Sequence, residues 1–508
     1  MKLNLSSVLH SVTVCLLTIS LLSACKKNES TPIIVDKADI GFFVLSDNNQ
    51  LIQFNAKNAT TASSTVSVTG LETGEKLLSI DFRPATGQLY GLGNTSRLYV
   101  INQTSGVARA IGSAPFTPAI SGTGATIDFN PTVDRIRLVS NTGQNLRLNP
   151  ETGSVVATDM VINGVTNASI IEMGYTNSVA GTSATVLYDL DATTDKLYKQ
   201  DPPNDGKLVE VGSLNIDISG VAGFDIAAEA NKAIAALSVK GVTGIYEVNL
   251  DNGNTIFYDA LPAGIKVSGL AIPTQPVAYA VDADNNLLIV NPASTTQSPV
   301  SKMISGMQSG EKILGIDMRP LNGQLYGLGS TGRLYTFNLS SGAAAVVGTT
   351  SPLVISGTAF GFDFNPTVDR IRIVSNTGQN FRVNPNDGVI AATDLALNPG
   401  TPSISAAAYT NNFAGATSTV LFDIDSNTGR LFKQDPPNNG TLTDVGSLGI
   451  TVTAANGFDI GGTSGTAYAI LTSGASTGIY TINLQTGLAT KKADFPKSVQ
   501  GFALGLGF

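Results

Sequence analysis

Two stretches concentrate groups able to recognise or transform a ligand: "FNPTVDRIRLVSNTGQNLRLNP" from Phe129 and "FNPTVDRIRIVSNTGQNFRVNP" from Phe364. The first supplies Arg135, Arg137 and Arg147 with the carboxamides of Asn141, Gln144 and Asn145; the second repeats them as Arg370, Arg372, Arg382, Asn376, Gln379 and Asn380. On a strand "RIRLVS", Arg135 and Arg137 share one face. A turn "NTGQ" brings Arg147 back on the partner strand, with Asp134 available as counter-charge. Guanidinium forks suit carboxylate or sugar-acid ligands. The same residues serve equally to brace neighbouring sheets through buried Arg–Asp pairs, and both readings stand.

The acidic residues form a second set. Asp81, Asp128 and Asp225, repeated as Asp317, Asp363 and Asp459, each sit between apolar neighbours on short strands. Alternation turns each to the face opposite those neighbours. Around a central channel such oxygens suit Ca²⁺; packed between sheets they are buried carboxyls satisfied by backbone N–H groups. Turns at "DLDATTD" from Asp189, "DIDSNTG" from Asp423 and "DADNN" from Asp282 offer alternating oxygens, but lack the twelve-residue calcium loop with its terminal Glu. Hairpin turns require Asp, Asn and Gly for their own reasons. Glu75 and Glu311 precede matching strands in "GEKLLSI" and "GEKILGI". They are either acids near an axis or turn residues paired with Lys76 and Lys312.

Much chemistry is excluded. The only histidine is His10, inside an N-terminal apolar segment, and the two cysteines, Cys15 and Cys25, fall there too. Ser-His-Asp or Cys-His catalysis, zinc on His or Cys, and haem on His are therefore ruled out for one chain. No GxxxxGK[ST] phosphate loop occurs. A net charge of −8 with no basic cluster speaks against nucleic acid. A paired-carboxylate glycoside hydrolase or lyase survives this filter, with Glu75 or Glu311 as acid in a cleft beside an Asp.

The elements that must position these groups come from repetition. "GQLYGLG" at Gly87 and Gly323, "KQDPPN" at Lys199 and Lys433, and "GFDI" at Gly223 and Gly457 return after about 235 residues. One module is thus duplicated, residues 38–273 and 274–508. Within each, short β-branched and aromatic runs alternate with Gly, Asn, Asp and Pro turns, and a unit of about 45 residues recurs five times. The expected fold is all-β: a β-propeller of about ten four-stranded blades. The first unit of each module lacks its innermost strand, and the final "VQGFALGLGF" supplies one without partners in its own unit. One ten-bladed ring or two five-bladed rings satisfy this. The junction "VSGLAIPTQPVAYAV" has the spacing of a within-blade hairpin with about three linking residues, which favours one ring; usual blade numbers of four to eight favour two.

The N-terminus carries an address. Lys2 and the run "VCLLTISLLSAC" form a secretory signal too short to span a bilayer. Its end, Leu22-Ser23-Ala24-Cys25, resembles a bacterial lipobox, which implies cleavage after residue 24 and lipidation of Cys25. Lys26 in the next position fits sorting to the outer membrane. Residues 26–37 read as a tether.

The paired phrases from Phe129 and Phe364, with "LYDLDATTDKLYKQDPPNDGKLVEVGSL" from Leu187 and "LFDIDSNTGRLFKQDPPNNGTLTDVGSL" from Leu421, resemble the bacterial domain-of-unknown-function 4394 family. The resemblance spans two tandem copies after residue 37. It implies extracytoplasmic propeller-like domains and brings no catalytic residues with it. The expected protein is a lipid-anchored envelope propeller that binds a glycan, peptide or partner protein without turnover. A carboxylate-dependent hydrolase or lyase and a calcium-stabilised scaffold are the alternatives.

Overall fold

The structure, a computed structural model, describes residues 36–508 apart from 220–222, 297 and 349–351. The expected signal segment, the expected lipidation at Cys25 and most of the expected tether lie outside the described residues. Lys37–Phe508 form one compact unit. It contains ten four-stranded antiparallel sheets, the expected propeller blades.

Each blade runs from an inner strand outward, and the burial of its strands explains the composition. The second strand of the second blade, Leu89–Gly93, is buried throughout, because both faces of a blade meet neighbours. The outermost strands, such as Ser64–Ser67 and Val300–Met303, are mostly exposed and correspondingly polar.

The blades close into two rings of five. In the first, Val267–Ala271 pairs with Gly41–Ser46, with Phe43 opposite Ala271 and Val44 opposite Leu270. The end of the module thereby supplies the inner strand of its first blade. The five inner strands, Leu77–Phe82, Ala125–Asn130, Ile170–Tyr175, Gly223–Ile226 and Val267–Ala271, contact one another in cyclic order. In the second ring the C-terminal strand Val499–Leu504 pairs with Ala278–Asp282, Ala280 opposite Phe502, and closes the same cycle.

This corrects the hairpin reading of the junction. Strand pairing stops at Ala271 and resumes at Ala278, so the tether is residues 272–277, with a reach of about 20 Å. That is ample for a step between rings.

The rings meet through the turns that leave their inner strands. Tyr279 donates its hydroxyl hydrogen bond to the Ala85 carbonyl at 2.9 Å, Arg83 Nη1 reaches the Gly323 carbonyl at 3.3 Å, and Gly507 N donates to the Thr86 carbonyl at 2.9 Å. Gly87 is required there: its φ is +73°, and a Cβ would lie 2.4 Å from the Phe508 ring. Ala85 joins a core cluster with Tyr279, Met318, Tyr335 and Leu506, so the seam is packed like an interior. The opposite ends of the inner strands, where each enters its blade, face away from the partner ring.

Candidate functional site

Near the seam end of each inner-strand cycle, three aspartates converge. One carboxylate oxygen from each of Asp81, Asp128 and Asp225 lies within 4.8 Å of the others, and Asp317, Asp363 and Asp459 do the same in the second ring. All six are buried, and each also ties one blade to the next. Asp81 accepts from Phe82 N and from Phe129 N of the following blade, both at 2.7 Å. Asp128 accepts from Tyr175 N at 3.0 Å, and Asp225 from Ile226 N and Ile272 N at 2.6 Å. The second ring repeats this through Phe364, Tyr409 and Leu504 N–H groups. Both expectations for these residues thus meet in one arrangement: oxygens gathered on the axis, each aspartate held by backbone donors.

Burial raises the proton affinity of these carboxyls. Asp225 is pushed up to about 6 and Asp459 to about 7, against the backbone hydrogen bonds that favour ionisation. Burial, reinforced by neighbouring aspartates, moves Asp81, Asp128, Asp317 and Asp363 well above the usual carboxylate range. The same burial favours the neutral form of these carboxyls.

Two residues outward along the inner strands, about 7 Å from the aspartates, the rings diverge. In the first, Thr126 Oγ1 donates to Glu172 Oε2 at 2.6 Å, and Ser79 Oγ lies 3.4 Å from Thr126 Oγ1 while accepting from Ile127 N. Glu172 is 3% exposed, and burial together with Asp225 and Asp81 raises its proton affinity well above normal, partly offset by Thr126. By the same register, the second ring has Gly315, Gly361 and Ala406 at these places.

Above this layer the first ring opens into a cavity of about 400 Å³, walled by Leu77, Leu78, Ala125, Ile170 and Ile171 and lined also by Glu172. In the second ring a space of about 10 Å³ lies one layer deeper, bounded by Gly315, Phe360, Phe362 and Phe502. Phe360 and Phe362 stand where the first ring has Ala125 and Ile127, and Phe502 where it has Leu270. A pocket of several hundred Å³ accommodates a small ligand, whereas about 10 Å³ scarcely holds one water.

The polar ribbon from Phe129 is bracing. Arg137 is 2% exposed, with Nε donating to Tyr175 Oη at 3.3 Å, Nη1 to Asn145 and Asp159, and Nη2 to Asn204, the last three at 2.7 Å. Arg372, 1% exposed, does likewise with Tyr409, Asn380, Asp394 and Asn438. Neither fork is free for a ligand, which corrects the recognition reading for Arg137, Asn145, Arg372 and Asn380. Arg147 and Arg382 pair with Asp159 and Asp394. Arg135 and Arg370 donate to the carbonyls of Asp134 and Asp369. Asp134 is not their counter-charge: its carboxylate takes Arg83 of the preceding blade, as Asp369 takes Arg319. Gln144 and Gln379 hold the loops beside them, bonding Ser121 N and Ala119 O, and Ser356 N and Val354 O. Asn141 accepts from Thr123 N and Gly124 N and lines the cavity with both, so one residue of the ribbon does reach the open mouth; Asn376 caps the matching loop at Thr358 N.

The glutamates named from sequence are neither catalytic acids in a cleft nor surface partners of lysine. Glu75 is buried and accepts from Thr95 N, Thr95 Oγ1 and Tyr99 Oη; Glu311 does the same with Thr331 and Tyr335. The acidic turns act as turns: Asp191 takes Ser169 N and Thr193 N, Asp425 takes Asn427 N, and Asp282 takes Asp284 N and Asn286 N. Asp189 and Asp423 are exceptions. Both are fully buried with no hydrogen-bond partner for either oxygen among the described residues, and burial pushes them up to about 8 despite nearby Arg137 and Arg372.

Reasoning from sequence missed Glu172, Thr126 and Ser79. The signal was present in the differences between copies, since Glu172 has no acidic counterpart at Ala406 while Ala125 and Ile127 face Phe360 and Phe362.

The profile of the family described as "Domain of unknown function (DUF4394)" matches residues 50–271 and again 286–503. No curated protein matches the chain. Crystal structures of the extracellular domain of BT4673 from B. thetaiotaomicron, described in one case as a one component and in another as a hybrid two component system, are similar at 10% and 11% identity. Both comparisons cover 93% of this chain and 74% of that one, with a TM-score of 0.25.

Proposed function

Because the chain belongs to the DUF4394 family, in two tandem copies whose channels differ, we propose that it is a non-enzymatic binding module whose first ring receives the ligand and whose second ring is the filled structural partner. The observation that carries this is the cavity of about 400 Å³ at the first mouth, where the second ring has Phe360 for Ala125 and Gln500 for Ser268. The ligand is a glycan, a peptide or an exposed segment of an envelope protein. Turnover has little support, since Glu75 and Glu311 are both consumed by turn hydrogen bonds.

The module is tethered to the bacterial outer membrane through lipid on Cys25, a reading supported by the Leu22–Cys25 motif. Metabolic labelling with a palmitate analogue tests it: label on the wild type and none on Cys25→Ser is expected, and equal labelling overturns it.

Binding is tested on an array of glycans and envelope peptides with the wild type and Ala125→Phe, which installs the second ring's residue in the first mouth. Loss of the signal in a folded variant is expected; an unchanged signal overturns the assignment of the site.

The three converging oxygens in each ring favour one further reading, a hard cation such as Ca²⁺ held by Asp81, Asp128 and Asp225, and by Asp317, Asp363 and Asp459. A native-state cation raises the melting temperature as its concentration rises. Equal melting in EDTA and in millimolar Ca²⁺ overturns it.

A further inference from the structure

The mouth of the first ring differs from its counterpart in two ways that occur together: it is open, and it has a fourth acid. Its walls join Leu77, Leu78, Ile170 and Ile171 to the polar Thr123, Asn141, Ser169 and Ser268, and among the described residues no lysine or arginine lines it. Glu172 is buried at this cavity and receives one hydrogen bond, from Thr126, leaving Oε1 without a partner among the described residues. Beneath it lie Asp81, Asp128 and Asp225, whose hydrogen bonds come from backbone N–H groups. Glu172 therefore meets the cavity with no basic side chain among its described lining, and the three aspartates lie about 7 Å deeper. Burial favours the neutral form of Glu172, and a cation entering the open space is the partner that would let it ionise.

The shape of the lining selects the kind of cation. A bare metal ion gains nothing from aliphatic walls, and a neutral ligand makes no use of a fourth carboxyl. A flexible apolar stem ending in a compact ammonium matches both features, because long amines lay their methylenes on apolar surface and keep the charge at the tip. In the second ring Ala406 replaces the acid and Phe360 stands in place of Ala125, so both features change together.

We propose that the first-ring mouth takes a primary alkylammonium group of the lysine kind, its head at Glu172 and its stem along Leu77, Leu78, Ile170 and Ile171. This rests on the reading of the mouth as the binding site and names the chemistry of what enters it.

The test is calorimetric titration of the full-length protein in detergent with Nα-acetyl-lysine methylamide, its neutral isostere Nα-acetyl-norleucine methylamide, and CaCl₂. The lysine probe is expected to bind, and the norleucine probe to bind on the order of tenfold more weakly or not at all, since a hydrogen bond to a charged group is at stake. Glu172→Gln is expected to abolish that preference, and Ala125→Phe to abolish binding of both probes, with melting temperatures unchanged. If Glu172→Gln does not fold, Glu172→Ala, the residue of the second ring, replaces it. Equal binding of both probes, blocked by Ala125→Phe and indifferent to Glu172→Gln, keeps the mouth as a site and overturns the ammonium. Calcium binding that depends on Glu172 and displaces the lysine probe assigns the acids to a metal and overturns it too. Absence of binding by the lysine probe overturns the ammonium alone, and the array signal of Ala125→Phe then decides whether the mouth is a site.

Discussion

Thr126 donates its hydroxyl hydrogen to Glu172 across the seam between the third and fourth blades of the first ring, at 2.6 Å; the matching pair in the second ring is Gly361 and Ala406. A shared scaffold thus carries a polar layer of Ser79, Thr126 and Glu172 in one copy and Gly315, Gly361 and Ala406 in the other. The aspartates that stitch the inner strands are common to both, so the stitch belongs to the fold and the mouth belongs to the difference.

Arg137→Ala takes the guanidinium from Asn145 and Asn204 and leaves Asp159 with Arg147 alone, as Arg372→Ala does for Asn380, Asn438 and Asp394 with Arg382. Losing hydrogen bonds made by a buried charged group costs about 1.5–3 kcal/mol. Chemical denaturation is expected to show that loss for each variant. A loss under about 1 kcal/mol would mean that these arginines do not brace the blades.

Stability is expected to fall as pH rises from about 4 to about 8. Asp189 and Asp423 titrate near 8 when folded and near 3.8 when unfolded, so in that window the unfolded chain ionises and the folded one holds its protons. Asp225, near 6, and Asp459, near 7, act in the same direction. Melting temperatures across the window should decline for the wild type and decline less for the double variant Asp189→Asn and Asp423→Asn. Parallel curves would contradict this origin.

Closure of two separate rings predicts that the link can be cut. A protease site inserted between Thr274 and Gln275, within the tether after Ala271, should yield two fragments that stay folded and associated, seen as one species in gel filtration with unchanged circular dichroism. A single ten-bladed ring would open at that cut and lose stability.

The blades, the duplication and the axial aspartates were legible because each depends on local pattern: strand alternation, turn residues and a repeat of about 235 residues. Ring closure was not, since it depends on which distant strand Val267–Ala271 selects, and the hairpin-like spacing "VSGLAIPTQPVAYAV" points to the neighbour instead of Gly41–Ser46. The role of Arg137 stayed open for a similar reason. Asn204 and Tyr175, which occupy its fork, belong to the next blade. Glu172 was hidden by attention to what the copies share, when function here lies in what they do not.

The most direct test sets three proteins side by side on a glycan and envelope-peptide array: wild type, Ala125→Phe in the first mouth, and Gln500→Ser beside the filled channel of the second. With about 400 Å³ available, the added ring in Ala125→Phe fits without unfolding the blade. The expected result is a specific signal that Gln500→Ser keeps and Ala125→Phe loses at an unchanged melting temperature. A signal that survives Ala125→Phe would contradict the assignment of binding to the first-ring mouth.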